Sequence, residues 1–410
     1  MAPTSVEKQL PSPARAGSAL CLSGGGYRAA LFHLGAARRL NEFGVLSEFN
    51  AVSSVSGGSI FSAHLAKSIL DSNGRCFANY EAQVAQPFRA FVKNNIRTTP
   101  ALKRLLPWEW VNAGAGAEAL AGKYRELLVF DLTLGQLPAQ PQFVFCATDL
   151  AFGVNWEFSR QRVGNYQAGY MDESSSREVS LALAVAASSC FPPVFRALPM
   201  ELDPSKLPIL GKLPSGPDRD SLISQIALSD GGVYDNMALE PVWKNYQSVL
   251  VSDGGKPFTF ARDATTPQEL HRILDVAANQ AEALRKRWLI SSYVRGDYAG
   301  AYFGIANAVS QYPARGTVGY SEALAKQVIS QIRTDLDGFS DAEIAVLENH
   351  GYTLADAAYK AHMSHDSTRL PAMIPPHESW WPWPEGNSEN LESRIAAALA
   401  ESSHVRILGH

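Results

Sequence analysis

The sequence predicts one large α/β domain with helical additions, and three stretches carry that prediction. Ala19-Leu20-Cys21-Leu22 is a short apolar run followed by Ser23-Gly24-Gly25-Gly26-Tyr27-Arg28-Ala29. Ala30, Leu31, Leu34, Ala37, Leu40 and Phe43 then recur at helical spacing. Ala51-Val52-Ser53-Ser54-Val55 leads into Ser56-Gly57-Gly58, and Ile60, Phe61, Leu65, Ile69 and Leu70 repeat the helical period. Ile226-Ala227-Leu228-Ser229 delivers Asp230-Gly231-Gly232. Each reads as a buried strand that ends in a tight turn.

At 410 residues and 46% hydrophobic, the chain can bury a large core. A net charge of -4 argues against a nucleic-acid partner and against strong attraction to anionic membranes. Nine histidines and four cysteines show no metal spacing. Three of the cysteines (Cys21, Cys146 and Cys190) sit in apolar runs and read as small buried hydrophobes, which fits a reducing compartment. Residues 1–18 mix prolines and charges without an apolar stretch and read as a loose arm. No run of about eighteen apolar residues exists, so no membrane span is expected and a cytoplasmic protein is the default.

The first unit, strand, glycine loop and helix, lines up backbone N–H groups at a helix N-terminus and so makes an anion site. Gly24-x-Gly26-x-x-Ala29 also satisfies a dinucleotide fingerprint, but the second strand ends in serines where that reading needs an acid for the ribose. No cofactor is therefore expected. The other reading is an oxyanion hole, with the Gly24, Gly25 and Gly26 amides facing a tetrahedral intermediate. The second unit has the logic of a nucleophile elbow, with Ser56 pushed out of the sheet by a sharp turn and Gly57 and Gly58 leaving it room. Its pattern, Ser54-Val55-Ser56-Gly57-Gly58, has serine where the motif has its first glycine.

Further along, Trp108 and Trp110 with the pliable residues 113–121 read either as a flap over a greasy site or as a packed loop. Residues 143–149 read as another buried strand, and residues 179–190 as a tight helix of small residues. Residues 202–224 are rich in proline and read as a surface loop. A second Asp-Gly-Gly, at Asp253, follows the strand Val249-Leu250-Val251, so that tripeptide alone does not choose between Asp230 and Asp253. The remainder reads as helical, with apolar Leu270, Ile273, Leu274, Ala277, Ala281 and Leu284 forming one face. Capping boxes at Ser340-x-x-Glu343 and Thr353-x-x-Asp356 predict two short helices, with Gly351 as a C-cap between them. Residues 375–384, with Trp380, Trp381 and Trp383, form a proline-aromatic strip that packs on the body or touches lipid.

The combination resembles the patatin-like phospholipases. The motifs are Gly24-Gly25-Gly26-Tyr27-Arg28, the elbow at Ser54 to Gly58, Ala187-Ser188-Ser189-Cys190-Phe191-Pro192-Pro193, and Asp230-Gly231-Gly232 with Asn236 and Pro241 after it. The resemblance covers residues 19–255 and selects Asp230 over Asp253. It departs at Ala29 and Ser54, each standing where a glycine is common. It implies a three-layer α/β/α fold with a central, mostly parallel sheet and additional C-terminal helices. It also implies hydrolysis of fatty-acyl esters by a Ser56-Asp230 dyad, without metal, on a phospholipid or other acyl lipid. Arg28 matches the family's basic residue, which fixes the loop or meets a lipid phosphate. The expected organisation is an arm at 1–18, a catalytic domain at 19–370 whose part 256–370 is helical, and a Pro/Trp-rich segment with a final helix at 371–410. A soluble carboxylesterase or thioesterase, or a silent lipid-binding homologue, are the alternatives. A Ser-His-Asp triad is the alternative chemistry, with His271, His350, His362, His365, His377, His404 and His410 as its histidines.

Overall fold

The computed structural model describes residues 15–98, 114–192, 194–258, 266–314, 316–364, 366, 369–382, 388–400 and 402. Its strands are β1 (Ser18–Leu22), β2 (Ala51–Val55), β3 (Gln142–Asp149), β4 (Val154–Ser159), β5 (Val163–Asn165), β6 (Gly169–Tyr170), β7 (Leu198–Pro199), β8 (Ile209–Leu210), β9 (Ala227–Asp230), β10 (Ser248–Asp253) and β11 (Ala299–Gly304). The centre runs β11-β10-β1-β2-β3 with every pair parallel. Beyond β3 the order continues β4-β5-β6-β8 with antiparallel pairs, and β9 pairs antiparallel with β3 and β7.

Period-two alternation explains why the central strands read as unbroken apolar runs. In β1, Leu20 and Leu22 point into the larger core, while Ala19 and Cys21 point into a smaller one on the other face. The larger core is covered by α1 (Gly26–Glu42), α2 (Gly57–Ser72), α3 (Gln86–Val92) and α4 (Ala115–Tyr124). The short helix α5 (Leu181–Ser189) joins the same face. The smaller core is closed by Met237, Leu239 and Val242, and by Leu289 of α6 (Thr266–Arg295). Helices therefore lie on both faces of one mixed sheet, the three-layer arrangement that was expected.

The second half of the chain departs from expectation in three places. Ala299-Gly300-Ala301-Tyr302-Phe303-Gly304 is not helical but forms β11, pairing along β10 from Ser248↔Ala299 to Asp253↔Gly304. Residues 202–224 include β8 and a helix at Pro217–Ile223. Gly351 is not a C-cap, because one helix, α7 (Asp341–His362), runs through it. The Ser340–Glu343 capping box does start that helix. Thr353, however, turns its hydroxyl back to the His350 carbonyl, and Asp356 pairs with buried Arg39 at 2.7 Å.

Close packing keeps Gly351 inside a helix that its propensity disfavours by about 1 kcal/mol. A Cβ on Gly351 would lie 1.9 Å from the Phe32 carbonyl oxygen, and one on Gly35 would lie 1.9 Å from that of Glu348. The pair lets α1 and α7 cross backbone to backbone. The final helix, α8 (Ser388–Leu399), adds Ile395 and Leu399 to the same core, and Trp381 is buried edge-on against Tyr352. Trp108, Trp110 and Trp383 lie outside the described residues.

Gly351→Ala should therefore destabilise by about 2 to 3 kcal/mol through overpacking, although alanine is the better helix former. Gly122→Ala in α4, where a Cβ meets nothing within 4 Å, should instead be neutral or stabilising. Urea unfolding of both variants checks the contrast. An unchanged midpoint for Gly351→Ala would contradict the close crossing.

Candidate active site

One edge of β3 is shared by two strands. β2 takes its first half, from Ala51↔Gln142 to Val55↔Cys146. β9 takes the rest from the opposite direction, with Asp230↔Ala147, Ser229↔Thr148 and Leu228↔Asp149. Val55 and Asp230 thus face consecutive residues of β3. Ser56, the next residue of the first strand, leaves the sheet where Asp230 ends the second.

Ser56 has φ 51° and ψ -118°, a left-handed conformation that costs a non-glycine residue about 1 to 3 kcal/mol. Ser188 at the end of α5 holds it there. The Ser56 N–H donates to Ser188 Oγ at 3.0 Å, and Ser188 Oγ donates to the Cys146 carbonyl at 2.6 Å. Ser59 Oγ lies 2.8 Å from the same hydroxyl. Gly57 opens α2 directly against the glycine loop, where a Cβ would lie 2.1 Å from the Gly26 carbonyl oxygen. The Gly58 N–H donates to the Ser23 carbonyl. Elbow and loop are thereby locked together through backbone.

Asp230 is 2% exposed. Its Oδ1 accepts the Gly232 N–H at 2.7 Å, and the Gly231 N–H donates to the Ser188 carbonyl at 3.2 Å. Oδ2 is buried with no hydrogen-bond partner among the described residues. Burial pushes the carboxyl up to about 6, against the lowering effect of the Gly232 N–H and the Ser56 hydroxyl. A carboxylate oxygen that no donor occupies, beside a serine hydroxyl, has the chemistry to take a proton.

The glycine loop is corrected in one respect. The Gly24 N–H is spent on the Asn236 carbonyl at 3.0 Å, so it is not one of the available donors. The N–H groups of Gly25, Gly26 and Gly57 have no acceptor among the described residues. Arg28 lies away from the cavity and is fully buried. Its guanidinium donates to the Gly254, Ser330 and Ile332 carbonyls at 2.8 to 3.2 Å, so it fixes the loop and does not face a lipid phosphate.

Ser56, Asp230, Gly24, Gly25, Gly26 and Gly232 line one cavity of about 440 Å³. Phe191, Val194, Phe195 and Leu336 give it an apolar side, and Arg97, Lys256 and Arg272 bring cations to it. No histidine among the described residues lines it. His350 is buried in α7 with Nε2 on the Ile305 carbonyl. Asp253 ends a strand two places from β2, where it accepts the Tyr302 hydroxyl at 2.6 Å and the Gly255 N–H at 2.9 Å. It serves as a structural turn. No cluster of metal-binding side chains occurs among the described residues, and none of their helices is long and apolar enough to cross a membrane. Sequence reasoning missed the roles of Ser188 and Asn236. Both stood inside motifs that had been singled out, but their partners are set by the tertiary fold.

Comparison with solved structures finds human GIVD cytosolic phospholipase A2 at 14% identity and TM-score 0.45, covering 94% of this chain and 63% of that one. The same human protein in complex with methyl γ-linolenyl fluorophosphonate matches at 14% identity and TM-score 0.45, over 95% of this chain and 60% of that one. VipD from Legionella pneumophila matches at 14% identity and TM-score 0.33, over 95% and 74%. The chain thus spans somewhat under two thirds of the human protein's length. Comparison with curated proteins gives no match. A family model described as patatin-like phospholipase matches residues 20–243. That match covers more than half of the chain and includes the glycine loop, the elbow and the Asp-Gly-Gly turn, and the chain belongs to the patatin-like phospholipase family.

Proposed function

We propose that this protein is a lipid acyl hydrolase of the phospholipase A or lysophospholipase type, with Ser56 as nucleophile and Asp230 as its base. The observation that carries the reading is the buried Asp230 Oδ2, which has no hydrogen-bond partner among the described residues and sits at the strand junction from which Ser56 emerges. The family match and the apolar side of the cavity support an acyl substrate.

The chemistry balances on these two side chains. Ser56 Oγ attacks the ester carbonyl carbon, and its proton passes to Asp230. The carbonyl oxygen becomes an oxyanion that the Gly25, Gly26 and Gly57 N–H groups stabilise, with the α1 and α2 N-termini adding their dipoles. Collapse breaks the bond to the leaving alcohol, which takes the proton back from Asp230. Water then attacks the acyl-Ser56 ester and gives a proton to Asp230; the acyl–Oγ bond breaks, Asp230 returns that proton to Ser56 Oγ, and the fatty acid leaves.

Ser56→Ala should abolish ester hydrolysis with the fold intact. Asp230→Asn should lower kcat/KM by about a hundredfold or more, whereas Asp253→Asn should leave it nearly unchanged. Equal losses from the two aspartate variants would contradict the assignment. Burial of Asp230 also has a cost for stability. Its pKa is higher in the fold than in the unfolded chain, so the penalty is full above about pH 6 and absent below about pH 4. Its ceiling is about 3 kcal/mol. Asp230→Asn should therefore raise Tm at pH 8 and not at pH 4. A Tm gain that did not change with pH would show that the carboxylate's charge is not what costs stability.

A further inference from the structure

The apolar spacing of α6 gives the helix one apolar face, and several of its apolar residues lie on the outside of the fold. Ile273 is 57% exposed, Leu284 60% and Val294 83%, and Val276, Trp288 and Ile290 are exposed as well. Ile273, Ala277, Leu284 and Trp288 recur at spacings of four and seven, so they form one stripe along a single outer face, interrupted by the polar Gln280. Leu289 and Ser292 are buried on the inner side. The same helix lends Arg272, Asn279 and Glu282 to the catalytic cavity, so its outer face is continuous with that site's wall.

The charge around the stripe is basic. Arg272, Arg285, Lys286, Arg287 and Arg295 stand here against Glu282, with Arg285 3.9 Å from Asp235 and Arg295 2.7 Å from Asp297, in a chain whose net charge is -4. At the C-terminal end Trp288 stacks edge-on with Trp243 at 5.5 Å and with Tyr298 at 5.7 Å. Lys244 lies over Trp243 and Arg15 over Tyr298. Apolar side chains rimmed by arginines, with an aromatic group edged by cations, match the chemistry of a headgroup boundary carrying negative charge.

We infer that the outer face of α6 is the surface by which this protein seats on an anionic lipid bilayer, bringing the catalytic cavity to its substrate. The use of that surface rests on the acyl-hydrolase reading, but the binding does not. Flotation of the full chain with vesicles of ether-linked phosphatidylcholine, with and without ether-linked phosphatidylglycerol, measures it without an ester to cleave. Wild type should float with the phosphatidylglycerol vesicles. Ile273→Ser with Leu284→Ser and Val294→Ser should weaken that partition by about tenfold or more, with Tm and hydrolysis of a short soluble ester unchanged. Arg287→Glu should reduce the preference for phosphatidylglycerol alone. Wild type that fails to float, or a triple variant that floats equally well, would overturn the inference. So would sedimentation showing a wild-type dimer that the triple variant dissolves, since the face would then join two copies. If flotation behaves as expected while Ser56→Ala hydrolyses esters normally, the catalytic reading fails and the docking surface stands.

Discussion

The arrangement of the site depends on two strands meeting end to end along one edge of β3. β2 runs parallel to it and stops at Val55, and β9 runs antiparallel and stops at Asp230. A strand that must end there cannot carry its next residue in the sheet plane, so Ser56 adopts a left-handed conformation and α2 begins at once. The second strand delivers a carboxylate into the same gap, where it is buried to 2% exposure. Ser188 joins both sides, its hydroxyl taking the Ser56 N–H and its carbonyl the Gly231 N–H. Strain at the serine and desolvation at the aspartate are thus two effects of one topological feature. Both are stability costs that the large core on the α1, α2 and α7 side offsets.

The part of the chain beyond residue 243 supports the glycine loop directly. Arg28 fixes that loop by donating to carbonyls of Gly254, Ser330 and Ile332, and Tyr27 donates its N–H to the Asp335 carbonyl. The α1 helix that leaves the loop is seated on α7 at the Gly35 and Gly351 crossing. The family match ends at residue 243, and the later segments hold the glycine loop in place. Four hydrogen bonds to three backbone carbonyls hold that guanidinium in place, fully buried beneath the loop.

Local sequence made the two strand–turn–helix units, Ser56 and Asp230 legible, because each rests on a short apolar run followed by small residues. What escaped is nonlocal. The antiparallel entry of β9 is written in its pairing with β3 and not in its composition. Ala299 to Gly304 is broken by Gly300 and Gly304, so it does not read as a strand until β10 lies beside it. Gly351 has the local signature of a cap, and only the approach of Phe32 shows why a helix keeps it. The amphipathic pattern of α6 was visible, but periodicity gives a face and not its direction. The acceptor for the Gly24 N–H lies far downstream in sequence, at Asn236, a separation no spacing rule supplies.

The central claim is that a buried aspartate, without a histidine, activates Ser56. It is tested most directly by the pH dependence of the rate at which a fluorophosphonate labels that serine, with the adduct located by peptide mass. The account predicts labelling at Ser56, a rate that falls below about pH 6 as Asp230 takes up a proton, and loss of that titration in Asp230→Asn. Labelling of another serine, or a titration that persists unchanged in Asp230→Asn, would contradict it.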